Sequence, residues 1–211
     1  MDLTTARACV RALAEGQGVR VIEPGDPRVA LGVAIARGLA SLVPGGGDVL
    51  GGFQKLVEQA AENVSVTLPA PGGTLIILSK TAVTDGRRYF NTGMHELVHV
   101  RQIAQVGGVQ AAVDYLGSGE LRAKREAEAS AVGLWADFVT TGQRPSPEDA
   151  SVLRSSLYHL DPPDKEFARA VVESVLGVID DGGVPPFSMA QAALLWLRAN
   201  APESIRVADY R

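Results

Sequence analysis

The period of apolar positions changes along the chain, and each change predicts an element. From Leu3 to Ala14 apolar residues recur every three or four positions, which predicts a helix capped by Thr4 or Thr5 and ended by Gly16 and Gly18. Val19 to Glu23 then reads as a strand stopped by Pro24 and Gly25. The run VALGVAIARGLASLV, residues 29 to 43, predicts a buried helix opened by Asp26-Pro27 and closed by Pro44. Asp48 is placed to cap a further helix through about Glu62. The glycines at 45 to 47 lack a following Gly-Lys-Ser/Thr, so they read as a turn and not as a phosphate cradle.

The β-branched stretches NVSVTL (63 to 68) and TLIILS (74 to 79), separated by PAPGG, predict a hairpin. Helical periodicity returns in NTGMHELVHVRQ, capped by Asn91 or Thr92 after a loop through Asp85 and Gly86. A short helix is expected over 109 to 116 and a long one from Glu120 to about Thr141, with Gly142 at its end. Ser146-Pro147-Glu148-Asp149 is a well-formed helix start, and further helices are expected from Pro163 to Asp180 and from Ser188 to Asn200. The predicted class is α+β, a single domain over residues 1 to 211. It has a mainly helical part (1 to 62), a part with the sheet and the histidine helix (63 to 142), and a helical part (143 to 211).

Composition narrows the function classes. The formal net charge of −4 provides no basic field for nucleic acid, so no nucleic-acid partner is expected. The run at 29 to 43 is too short to span a bilayer comfortably and carries Arg37, so no membrane partner is expected either. No basic start followed by an apolar stretch opens the chain, so the expected location is cytoplasmic, or exported without a classical signal peptide. The sequence sets no oligomeric state. A single cysteine, Cys9, rules out an intrachain disulfide. Its ordinary reading is a small buried hydrophobe, and its rarer one a thiolate that caps a metal in a silent precursor.

The candidate chemistry lies in HELVH. His95 and His99 stand about 40° apart around a helix and one turn along it, so both imidazoles leave one face and can reach a single Zn²⁺. Glu96 sits on the same half, placed to touch a metal-held water without binding the metal. Leu97, Val100 and Ala104 make the apolar back of the helix, flanked by Met94 and Val98. An ordinary helix carrying two histidines is the alternative. The chain has only three histidines, and two of them in register with a glutamate weigh against that alternative.

A catalytic zinc needs three protein ligands and an open position. A third histidine in the HExxHxxGxxH spacing is absent, because Gln102 and Gln105 occupy the glycine and histidine positions. A glutamate on a following helix is supplied by REAEAS, residues 125 to 130. Together HELVH and REAEAS resemble the gluzincin group of metallopeptidases over about residues 74 to 135, which implies a zincin-like fold. A narrower likeness is to compact bacterial metallopeptidase domains, some linked to secretion systems or toxins.

The resemblance implies that His95, His99 and Glu126 hold Zn²⁺ and that Glu96 is the general base. It puts Ser130 where an acid would accept a hydrogen bond from a ligand imidazole. It also implies a downstream Tyr or His that stabilises the oxyanion, for which Tyr158 and His159 are the candidates, and a substrate-holding edge strand at 74 to 79. Independently, Glu126 shares its helix face with Ala129, Ser130 and Gly133, all small enough for another helix to approach. Glu128 falls on the side of Leu121, Ala131, Val132 and Trp135, so Glu128 and Glu120 are the lesser alternatives. The expected function is zinc-dependent hydrolysis of a protein or peptide substrate. The alternative is a catalytically silent zinc-binding or protein-interaction module on the same fold.

Overall fold

The computed structural model describes residues 1–30, 34, 38, 64–70 and 73–210. The helix expected at 29 to 43 lies almost wholly outside these residues, and the one from Asp48 through Glu62 entirely so. In chain order the described elements are α1 (Leu3–Glu15), β1 (Arg20–Ile22), β2 (Val66–Ala70) and β3 (Gly73–Ile77), followed by α2 (Gly86–Val106), α3 (Gly108–Gly117) and α4 (Gly119–Thr141). The single-turn α5 (Ser151–Arg154), then α6 (Pro162–Asp180) and α7 (Ser188–Asn200), complete them. The protein is α+β, mostly helical, with one small sheet.

Sheet order is β1-β3-β2. β2 and β3 form the expected antiparallel hairpin, with Val66 opposite Ile77 and Leu68 opposite Leu75. β1 then joins β3 in parallel, with Arg20 opposite Leu75 and Ile22 opposite Ile77. This corrects the assignment of 74 to 79 as an edge strand. Both edges of β3 are taken, and its backbone groups are not free for an extended substrate. Among the described residues the unpaired edge on the hairpin side belongs to β2.

Three helix starts differ from expectation, two of them because an earlier side chain serves as cap. Asp2, not Thr4 or Thr5, caps α1 by accepting from the Thr5 N–H. Asp85 caps α2 by accepting from the Arg88 N–H, so that helix begins well before Asn91. Asn91 instead donates to the Gly133 carbonyl on α4. At Ser146 the capping box forms, but it opens only a 3-10 turn (Pro147–Asp149), because Ala150 is extended and breaks the helix before α5.

α2 is the central element, packed against α1 and α4, with α6 on the far side of α4. Phe90, Met94 and Leu97 of α2 are fully buried, each contributing about 1.5–3 kcal/mol by burial. Ala104, expected on this apolar back, is exposed, as is Leu121 of α4. Gly93 is where α1 crosses: a Cβ there would lie 2.6 Å from Val10 Cγ2. Gly133 plays the same part on α4, where a Cβ would meet Asn91 Oδ1 at 3.1 Å. No helix among the described residues is long and apolar enough to cross a membrane.

Candidate metal centre

The close approach at Gly133 sets α2 and α4 side by side, and the two helices bring His95, His99 and Glu126 together. Nε2 of His95 and Nε2 of His99 are 3.1 Å apart. Glu126 Oε2 is 3.4 Å from His95 Nε2, and Glu126 Oε1 is 3.5 Å from His99 Nε2. Ligands at 2.0–2.1 Å from a tetrahedral ion are separated by about 3.3 Å, so three donors at these spacings fit around one metal ion. Glu126 is 3% exposed, and its Oε2 has no hydrogen-bond partner. A bare carboxylate oxygen in a protein interior costs free energy unless a cation faces it. The group is positioned to bind a metal ion.

Gln102, one turn beyond His99, determines which imidazole nitrogen faces the site. Its amide nitrogen donates to the Arg125 carbonyl at 3.2 Å and to Glu128 Oε2 at 3.0 Å. Both partners only accept, so the amide oxygen must be the atom 2.8 Å from His99 Nδ1. His99 therefore carries a proton on Nδ1, and Nε2 is the nitrogen that faces Glu126 and His95, free to bind a metal once any proton on it has left. Glu128, expected as a solvated glutamate at the edge of the stripe of Leu121, Ala131, Val132 and Trp135, is half-buried and is the outer anchor of this chain of hydrogen bonds.

Burial works to lower the pKa of His99, but the neighbouring Glu126 carboxylate outweighs it and His99 is pushed up to about 9. Burial likewise works to raise the pKa of Glu126, and the charge of His99, with both imidazoles close beside the carboxylate, holds it far below its ordinary range. In the metal-free protein a proton on His99 supplies the positive charge that Glu126 requires. A divalent cation between the three side chains would replace it.

Two tyrosines close the site around Glu126. Tyr115 of α3 donates its hydroxyl to Glu126 Oε1 at 2.8 Å. Burial, then the Glu126 charge, raises its pKa well above the phenol value, so it stays a donor. It is there because Gly107, at φ 85°, turns the chain sharply from α2 into α3. The GlyGly at 107 and 108 was the only sequence signal for this return. Tyr158 lines the same cavity, its pKa also raised by burial and then by Glu126.

Arg122, one turn before Glu126 and 6% exposed, ties both tyrosine segments down. It donates to the carbonyls of Tyr115 and Tyr158 at 2.6 Å each and of His159 at 3.2 Å. A buried arginine needs several carbonyl acceptors, which is why these segments converge on it. The His159 side chain is exposed and does not line the cavity.

Glu96 is 3% exposed and lines this cavity beside the three donors. Its Oε2 accepts from the Thr67 hydroxyl at 2.7 Å, and the same hydroxyl reaches the Glu96 carbonyl at 3.1 Å. Thr67 lies on β2, so the strand whose outer edge is unpaired among the described residues runs past the glutamate. The remaining sequence candidates lie elsewhere. Glu120 is exposed in the first turn of α4. Ser130 bonds Ser151 Oγ at 2.9 Å and the Val152 N–H at 3.3 Å, not an imidazole. Gln102 provides the support that an acid at position 130 was expected to give. Cys9 is fully buried in the hydrophobic core.

Comparison with protein-family models, with curated proteins and with solved structures returned no match.

Proposed function

We propose that the protein is a zinc-dependent peptidase of gluzincin type. The observation that carries this reading is that Glu96 lines one cavity with the His95, His99 and Glu126 donors, beside the edge of β2 that is unpaired among the described residues. Two imidazoles and one carboxylate are a donor set suited to zinc, with a fourth position left open for chemistry. The ion, when bound, polarises a carbonyl and acidifies a water.

The chain's own residues do the rest. His95, His99 and Glu126 fix the ion, with Gln102 and Tyr115 orienting His99 and Glu126. Glu96 takes a proton from the attacking water and returns it to the leaving amine. Thr67 holds the Glu96 carboxylate in place for this. Tyr158 lines the cavity as a hydroxyl donor for the developing oxyanion. An extended peptide would add to the edge of β2 through main-chain hydrogen bonds.

Elemental analysis beside a peptide-library cleavage assay tests the reading. The wild type should hold about one zinc per chain and cleave. Glu96→Gln should keep the zinc and lose about 10²–10⁴-fold in rate. Equal cleavage by the two forms would refute the assignment of Glu96. Zinc retained with no cleavage of any peptide would leave a metal-binding interaction module.

A further inference from the structure

The two oxygens of the Glu126 carboxylate are not equivalent. Oε1 accepts the Tyr115 hydroxyl at 2.8 Å, whereas Oε2 is buried with no hydrogen-bond partner. Each oxygen has an imidazole near it. Oε2 is 3.4 Å from Nε2 of His95, and Oε1 is 3.5 Å from Nε2 of His99. By distance alone, both oxygens stand within reach of an ion held by the two histidines. The phenol is what separates them.

Tyr115 is not free to follow a turning carboxylate, because α4 grips α3 through two arginines that precede Glu126. Arg125 pairs with Asp114 at 2.6 Å and donates to the Ala111 carbonyl at 2.8 Å. Arg122 donates to the Tyr115 carbonyl at 2.6 Å, and its guanidinium lies 6.0 Å from the centre of the Tyr115 ring. The helix that carries the carboxylate therefore also fixes the hydroxyl that engages it.

We propose that Tyr115 is a positioning residue that confines Glu126 to metal ligation through Oε2 alone. This rests on the metal site of the peptidase reading above. An oxygen that accepts a phenol proton shares its charge with that proton, whereas the partnerless oxygen keeps all of its own. For both oxygens to ligate, the carboxylate would have to turn Oε1 toward the ion. The Tyr115 hydroxyl would then lose its acceptor inside the cavity. With Oε2 alone engaged, three protein donors hold the ion and a fourth position stays open. A second oxygen from Glu126 would crowd that position.

Cobalt(II) in place of zinc tests this without requiring turnover, because a four-coordinate cobalt ion absorbs visible light far more strongly than a five-coordinate one. The cobalt-loaded full chain should show the strong absorption of four donors. Tyr115→Phe releases Oε1, and this variant should keep about one cobalt per chain while losing most of that absorption. Thr67→Val removes a hydroxyl that bonds Glu96 instead, and should leave the spectrum unchanged. A tyrosine that only props the fold would let metal affinity fall roughly 10–100-fold without altering the spectrum of the loaded form. That result overturns the proposal. A crystal structure of the zinc-loaded wild type with both Glu126 oxygens at ligand distance overturns it as well, whether or not the variant folds. A chain that binds neither zinc nor cobalt overturns the peptidase reading and this assignment together. Spectra as expected from a chain that cleaves no peptide would uphold the role of Tyr115 and overturn the peptidase reading alone.

Discussion

Oε1 of Gln102 lies 2.8 Å from Nδ1 of His99, and this contact decides which lone pair the histidine offers to a metal. Gln102→Leu removes the acceptor and should weaken zinc binding about 10–100-fold, read by competition with a chromophoric chelator. Glu128→Ala should cost less, since the Arg125 carbonyl still orients the Gln102 amide. Equal losses in the two variants would show that the amide is not held as described.

Glu126, and not Glu120 or Glu128, stands with His95 and His99 in the group positioned to bind a metal ion. Glu126→Ala should release zinc on dialysis, because two imidazoles leave the ion under-coordinated. Glu120→Ala, in the exposed first turn of α4, should retain it. Metal content by elemental analysis separates the two, and a zinc-replete Glu126→Ala protein would remove Glu126 from the site.

Thr67→Val deletes the hydroxyl that holds Glu96 and preserves the shape of the side chain. Zinc content should not change, whereas peptide cleavage should fall roughly 10-fold or more, the usual scale for a hydrogen bond to a charged group. A fall in zinc content instead would mean that β2 supports the donors and not the base.

Gly93 lies two residues before His95, and its missing side chain makes room for Val10. Gly93→Ala should destabilise the fold by about 1–3 kcal/mol in denaturant melts, because a branched neighbour in a packed core cannot step aside. Restoration by Gly93→Ala with Val10→Ala would confirm that the crossing of α1 over α2 is the cause.

Cys9 is fully buried, and burial pushes its thiol up to about 12. A thiol reagent at pH 8 should leave the native protein unmodified and react once denaturant is added, as followed by mass spectrometry. Rapid native labelling would place Cys9 at an accessible site and revive its role as a metal cap.

The sequence by itself determined the periodic elements and the local half of the site. HELVH puts two imidazoles and a glutamate on one helix face whatever surrounds it, because helical geometry alone fixes that relation. REAEAS, with Gly133 beyond it, marked the helix that would approach, because small residues permit close packing. Only the tertiary structure decided what lies across from these faces. Strand order is a matter of pairing between distant segments, so nothing within TLIILS showed that β1 would take its second edge. Tyr115, Thr67 and Gln102 find their partners 11, 29 and 26 residues away in Glu126, Glu96 and Glu128, distances at which no periodicity operates. The role of Glu128 was missed for the same reason. A helical wheel gives the direction of a side chain but not the neighbour it meets, and Gln102 on α2 proved to be within its reach.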